Sequence, residues 1–130
     1  EYNKTDEATI RAITQGLVDL GILQGETDEL IASDAHREFY MHGAGHWLGM
    51  DVHDVGDYKL EGEWRVYEPG MVVTIEPGIY IAPGNPNVDE KWHGIAVRIE
   101  DDIVVTKTGN ENLTESVPKN RHEIEALMAR

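Results

Sequence analysis

The period of the hydrophobic pattern changes once along this chain, and that change limits the folds open to it. Ile10, Ile13, Leu17 and Leu20 recur at helical spacing as far as Gly21, which predicts a helix with one apolar stripe. From Met71 onward strands alternate with turns instead, and successive side chains point to opposite faces of each strand. Helices first and strands after predict an α+β fold with an antiparallel sheet. At 130 residues the chain suits one ordinary domain. Hydrophobic residues make up 40% of it, so a globular fold is expected rather than disorder.

Charge and cysteine content narrow the function. With 25 Asp and Glu against 11 Lys and Arg, the formal charge is −14, which argues against nucleic acid as a partner because phosphate binding relies on clustered cations. An anionic membrane would repel the chain, and no apolar run reaches membrane-spanning length. Most of the carboxylates are expected to form solvated surface; a few remain available to hold metal. No cysteine is present, which removes disulfides, thiolate zinc sites and a Cys nucleophile. Such a composition is compatible with a reducing compartment, and a cytoplasmic location is the expectation. The chain begins at Glu1 rather than Met and shows no signal peptide, so removal of an upstream segment is expected.

Local signals divide the chain further. Thr5 is expected to cap the first helix, with Asp6 and Glu7 in its first turn beside the positive end of the dipole. After a turn at Gly25, Thr27 or Asp28 is expected to cap a second helix running toward Arg37. His36 on that segment is read as a solvated or hydrogen-bonded histidine, since no partner stands at ligand spacing. The glycine-rich, histidine-rich stretch from Tyr40 to Asp57 is read as loop and irregular strand, because its glycines cost helix stability. Strands are expected at Met71 to Ile75 and Ile79 to Ile81, with a turn at Pro77-Gly78 between them and a loop from Pro83 to Asn87. Two more are expected at Ile95 to Glu100 and Ile103 to Thr106, separated by a short acidic turn. Asn120, with Glu123 three residues on, marks the start of a last helix ending at Arg130.

The chemistry concentrates where these strands end. Alternation puts Thr74 and Glu76 on one face of their strand, and Arg98 and Glu100 on one face of theirs. Neighbouring strands lie about 4.8 Å apart, so Glu76 and Glu100 could converge on a pair of metal ions held roughly 3.5 to 4 Å apart. Bare carboxylates at that distance would repel; a divalent metal, with Arg98 offsetting residual charge, removes the repulsion. Taken singly, a strand-end glutamate is more often a solvated turn residue. His42, His46 and His53 add three imidazoles within a dozen residues, and imidazole is both a common metal ligand and a proton carrier near neutral pH. Any one of these histidines could equally be a hydrogen-bonded loop residue. His42 and His46 stand at i and i+4, but Gly43 occupies the glutamate position of the helical zinc-protease motif, so that motif does not apply.

The run from His42 to Gly56 and the segments GMVVTIEPGIYI and GIAVRIEDDIVVT resemble aminopeptidase P and its relative prolidase. The flanking LGILQG, DELI, GNENLT and EIEALM are similar to the bacterial aminopeptidase P group, and the resemblance covers nearly the whole chain. It implies half of a pita-bread fold, with helices packed on a curved, mainly antiparallel sheet, residues 1–130 being the C-terminal half of the catalytic domain. It also implies that His46 binds one metal, that Glu76 binds metal and serves as general base, and that Glu100 bridges two metals. His53 would hydrogen-bond substrate and stabilise the tetrahedral intermediate, His42 would line the substrate pocket, and Arg98 would orient the ligand carboxylates. The implied cofactor is a pair of Mn²⁺ ions, with Zn²⁺, Co²⁺ or Fe²⁺ also compatible with the ligand types. The implied substrate is a peptide with proline second, and the implied full-length protein is a homo-oligomer.

One part of the family pattern is missing. Two metal-binding aspartates eleven residues apart belong to the preceding half, whereas Asp6, Asp19, Asp28 and Asp34 have Leu17, Leu30, Phe39 and Gly45 at that interval. The chain is therefore expected to bind one ion weakly or none, and to be inactive alone. Prolidase and a non-catalytic binding module of the same fold are the competing expectations.

Overall fold

The computed structural model describes residues 1–129. Helix α1 (Asn3–Asp19) begins earlier than expected: Tyr2 stands at its N-cap without a side-chain cap bond. Thr5 lies inside the helix with its hydroxyl 3.1 Å from the Tyr67 hydroxyl, and only Asp6 of the two acids falls in the first turn. Ile13 and Leu17 are buried as the stripe predicts, but Leu20 is 49% exposed. Thr14 takes the remaining buried place by donating its hydroxyl to the Ile10 carbonyl at 2.7 Å, a back-bond that hides its polarity inside the helix.

Helix α2 (Thr27–Ala32) stops short of Arg37. Asp34 adopts a left-handed backbone at φ 58° and a 3₁₀ turn, Ala35–Glu38, follows. Asp tolerates that conformation better than most residues. The break turns His36 inward, to 3% exposure. Contrary to expectation His36 is neither solvated nor bonded through Nδ1, which has no partner, and burial lowers its pKa. A short hairpin that the sequence reading missed, β1 (Lys59–Leu60) with β2 (Glu63–Trp64), closes through Glu61 and Gly62. Both turn residues have positive φ, the signature of a two-residue primed turn.

The central feature is a long antiparallel pair. Strand β3 (Val72–Ile75) and β4 (Gly78–Tyr80) form one arm; β5 (Ala96–Arg98) and β6 (Asp101–Val105) form the other. Ile75 faces Asp101 and Gly78 faces Arg98, so the two ladders share one register. Ile99 N–H donates to the Pro77 carbonyl at 3.1 Å, joining the two ladders, and Ile81 N–H donates to the Ile95 carbonyl at 2.8 Å, extending the pair beyond Tyr80. The expected turns at Pro77-Gly78 and at the acidic stretch are thus absent: both arms run straight through. Pro77 interrupts the ladder only because it has no N–H to give. On the other arm, Asp101 accepts from Thr114 Oγ1 and Lys119 Nζ at 2.7 and 2.8 Å, and Asp102 N–H donates to Thr114 Oγ1; these bonds hold the acidic stretch extended.

Strand β7 (Asn110–Asn112) adds to β6 in the order β3-β6-β7. Helix α3 (Arg121–Met128) starts as predicted, with Asn120 accepting from His122 N–H; its expected end at Arg130 lies outside the described residues. Two cores result. Ile13, Leu17, Phe39, Tyr40 and Ile81 join α1 to the β4 arm. Tyr2, Trp47 and Val73, with Tyr58 and Tyr67 against them, join the start of α1 to β3.

Candidate metal centre

Continuing the shared register past Ile75–Asp101 and Gly78–Arg98 sets Glu76 opposite Glu100. Facing side chains on antiparallel strands have Cβ atoms about 4.5 to 5.5 Å apart, and like charges there destabilise the pair. Glu76 is also 8% exposed, a costly place for a carboxylate without partners.

His46 reaches the same spot from a third direction. The segment around it lies along the free edge of β3, with Trp47 bridged to Val73, Glu76 N–H donating to the Ala44 carbonyl at 2.7 Å and Thr74 N–H to the His46 carbonyl at 2.9 Å. Gly45 permits this approach, because a Cβ there would run into the Thr74 carbonyl oxygen. His46 Nδ1–H donates to the Trp47 carbonyl at 2.9 Å, which assigns the proton and leaves a lone pair on Nε2. That lone pair sits 3.2 Å from Glu76 Oε1. One ligand atom each from His46, Glu76 and Glu100 lies within 4.8 Å of the other two. One imidazole nitrogen and two carboxylate oxygens at this spacing are the kind of donors a cation takes. The donor set therefore fits a divalent ion.

Neighbouring groups hold these side chains. Thr74 Oγ1 accepts from His46 N–H at 3.0 Å and donates to Glu76 Oε1 at 3.1 Å. Arg98 donates to Glu76 Oε2 at 3.2 Å and to the Tyr80 hydroxyl at 2.6 Å. The Tyr80 bond and the nearby Glu76 charge raise the Arg98 pKa above its ordinary value. Tyr80 in turn donates to His42 Nε2 at 3.0 Å, while His42 Nδ1–H donates to the Gly43 carbonyl at 2.8 Å. His53 is exposed, its ring edge-on to His46 with centroids 4.4 Å apart.

All the residues expected at the site thus lie along one connected patch. Thr74 and Tyr80 were not predicted as part of it. Thr74 shares the Glu76 face by simple alternation; Tyr80 does too, but only once Pro77-Gly78 is known to be strand rather than turn. A cavity of about 800 Å³ opens elsewhere, beside Thr5, Ala8, Tyr67, Val73 and Ile103, and contains none of the predicted site residues.

Residues 2–107 match the model of metallopeptidase family M24. The chain belongs to this family. Among M24-related proteins it is 62% identical over 119 residues to the Xaa-Pro aminopeptidase of Escherichia coli (strain K12), covering 92% of this chain and 26% of that protein. It is 54% identical over 125 residues to the Xaa-Pro aminopeptidase of Haemophilus influenzae, covering 96% of this chain and 29% of that one. The structure of Pseudomonas aeruginosa aminopeptidase PepP superposes with a TM-score of 0.94 at 66% identity, over 98% of this chain and 29% of its own. The chain accordingly spans 26% to 29% of the length of these relatives. The M24 fold here is the α+β, pita-bread type of the aminopeptidase P structures, as the sequence resemblance implied.

Proposed function

We propose that the protein to which this chain belongs is a metal-dependent aminopeptidase that hydrolyses the bond between an N-terminal residue and a following proline. The chain would be the C-terminal half of its catalytic domain. The reading is supported by relatives named Xaa-Pro aminopeptidase and carried by one observation, the convergence of His46, Glu76 and Glu100. These three would be ligands, with aspartates of the preceding half completing the set. Mn²⁺ is the proposed ion, since oxygen-rich donors with one imidazole suit a hard cation. When bound, a pair of such ions supplies Lewis acidity toward the scissile carbonyl and acidifies a water.

The chain's own residues would do the rest. Glu76 takes a proton on its carboxylate and returns it to the departing proline nitrogen. Arg98, bonded to Glu76 Oε2, fixes the direction of that carboxylate. His53, exposed beside the His46 ring, donates to the carbonyl oxygen as charge develops there. His42 is held in its Nδ1–H form by Gly43 and Tyr80 and lines the substrate pocket.

The test is hydrolysis by the full-length protein, stripped of metal and reloaded with Mn²⁺, of a tripeptide with proline second, an Xaa-Pro dipeptide and a methionyl peptide lacking proline. Mn²⁺-dependent cleavage of the tripeptide is expected. Cleavage confined to the dipeptide would make the protein a prolidase, and absence of any Mn²⁺ binding would make it a non-catalytic member of the family.

A further inference from the structure

The backbone around His46 is pinned from two sides. From the sheet come the Glu76 N–H on the Ala44 carbonyl, the Thr74 N–H on the His46 carbonyl and the Thr74 hydroxyl on the His46 N–H. The other two anchors come from the start of α1, some forty residues away in sequence. Asp6 Oδ1 accepts from Ala44 N–H at 2.7 Å, and the Tyr2 hydroxyl donates to the Gly45 carbonyl at 2.6 Å. The Gly45 carbonyl and the His46 N–H belong to one peptide group, so Tyr2 and Thr74 grip opposite ends of the plane that sets the His46 direction.

We infer that Asp6 and Tyr2 are positioning residues for the metal centre, acting through the Ala44–His46 backbone. The inference rests on the metal-centre reading above and extends it to two residues that touch no ligand atom. Its physical basis is the glycine content of HGAGH: Gly43 and Gly45 give this segment more backbone freedom than any other residue type would, and holding it in one conformation costs entropy. A ligand on such a segment is pre-oriented only if something outside the segment holds it. Both anchors suit the task. The Tyr2 ring is wedged among Trp47, Tyr58 and Tyr67, with centroids 5.3, 4.7 and 5.7 Å away. Burial raises its phenol pKa, so the hydroxyl remains a donor throughout the working range. Asp6 offers a side-chain oxygen directly to the Ala44 N–H, a short bond from a helix residue to the loop backbone.

The experiment compares Asp6→Ala, Asp6→Asn and Tyr2→Phe with the unaltered full-length protein in two ways: Mn²⁺ affinity by calorimetry, and exchange of the Ala44 amide in the metal-free state. Removing a partner that orients ligands typically costs about 10–100-fold in metal affinity. Asp6→Ala should weaken Mn²⁺ binding about tenfold or more and speed Ala44 exchange, while Asp6→Asn, which keeps an acceptor oxygen, should recover most of both. Tyr2→Phe, which keeps the ring in the aromatic core, should weaken binding by several-fold. Wild-type values for Asp6→Ala, or for Tyr2→Phe where Asp6→Ala does not fold, would overturn the inference, as would equal losses in Asp6→Asn and Asp6→Ala. Should the unaltered protein bind no Mn²⁺, the metal-centre reading falls by itself, and Ala44 exchange still decides whether Asp6 holds the segment.

Discussion

The core around Leu17 and the core around Trp47 support opposite sides of one site, and they are built differently. Leu17, Ile13, Phe39, Tyr40 and Ile81 are mostly aliphatic, and the helix supplies its share through local spacing. Tyr40 carries the His42 side of the site, their rings 4.7 Å apart. The second core gathers Tyr2, Trp47, Tyr58 and Tyr67 from four separate stretches of chain, and it backs the His46 segment. The first core therefore contributes mainly area removed from water. The second adds one polar tip that reaches the backbone, the Tyr2 hydroxyl on the Gly45 carbonyl, as an aromatic residue with a hydroxyl can. Stability and site geometry are in this sense held by different halves of the molecule.

That division can be broken or sharpened by substitution. The largest effect is expected from Leu17→Ala, which empties a fully buried position and should cost about 3–5 kcal/mol in denaturant unfolding. Mn²⁺ affinity of the folded protein should hardly change; a parallel loss of affinity would erase the distinction. Gly45→Ala should cost less stability, about 1–3 kcal/mol, yet disturb the site far more, because its methyl displaces the segment from the Thr74 carbonyl. Calorimetry should show Mn²⁺ affinity lowered by about tenfold or more, on the scale of lost ligand support.

Thr74→Val comes next. It keeps the shape of a buried strand residue but strands the His46 N–H and a Glu76 oxygen, at about 1–2 kcal/mol. Thr74→Ser should restore most of the melting temperature. If valine were as stable as threonine, the Thr74 hydroxyl would not be holding His46 and Glu76 together.

The smallest effect concerns pH. Burial depresses the His36 pKa, so the unfolded chain takes up a proton there before the folded one does. Stability from this residue is complete above the unfolded value of about 6.5 and is lost as pH falls toward the folded value. Between pH 7 and pH 5 the wild-type melting temperature should drop more than that of His36→Leu. Equal slopes would mean that His36 accepts its proton without leaving the core.

Much of the site was readable in advance because its residues lie on strands, where alternation alone decides the face. Glu76, Arg98 and Glu100 were placed that way, and His46 stood out through its glycine-rich setting. The errors were of another kind. Pro77-Gly78 and the acidic stretch were expected to turn, since those residues usually do; here each is opposed by a paired arm that keeps it extended. Leu20 and His36 exchanged their expected environments, one exposed and one buried: Leu20 caps the end of α1, and His36 lies on the 3₁₀ turn that follows the left-handed Asp34.

By itself, the sequence determined the first and last helices, the face presented by the strands that carry Glu76 and Glu100, and the kind of donors available, since all of these follow from spacing and residue chemistry within a few positions. Only the tertiary structure decided that Glu76 stands opposite Glu100 and that Tyr2 and Asp6 reach the backbone beside His46. Register and long-range contact depend on which distant segments pack together, and no local periodicity encodes that.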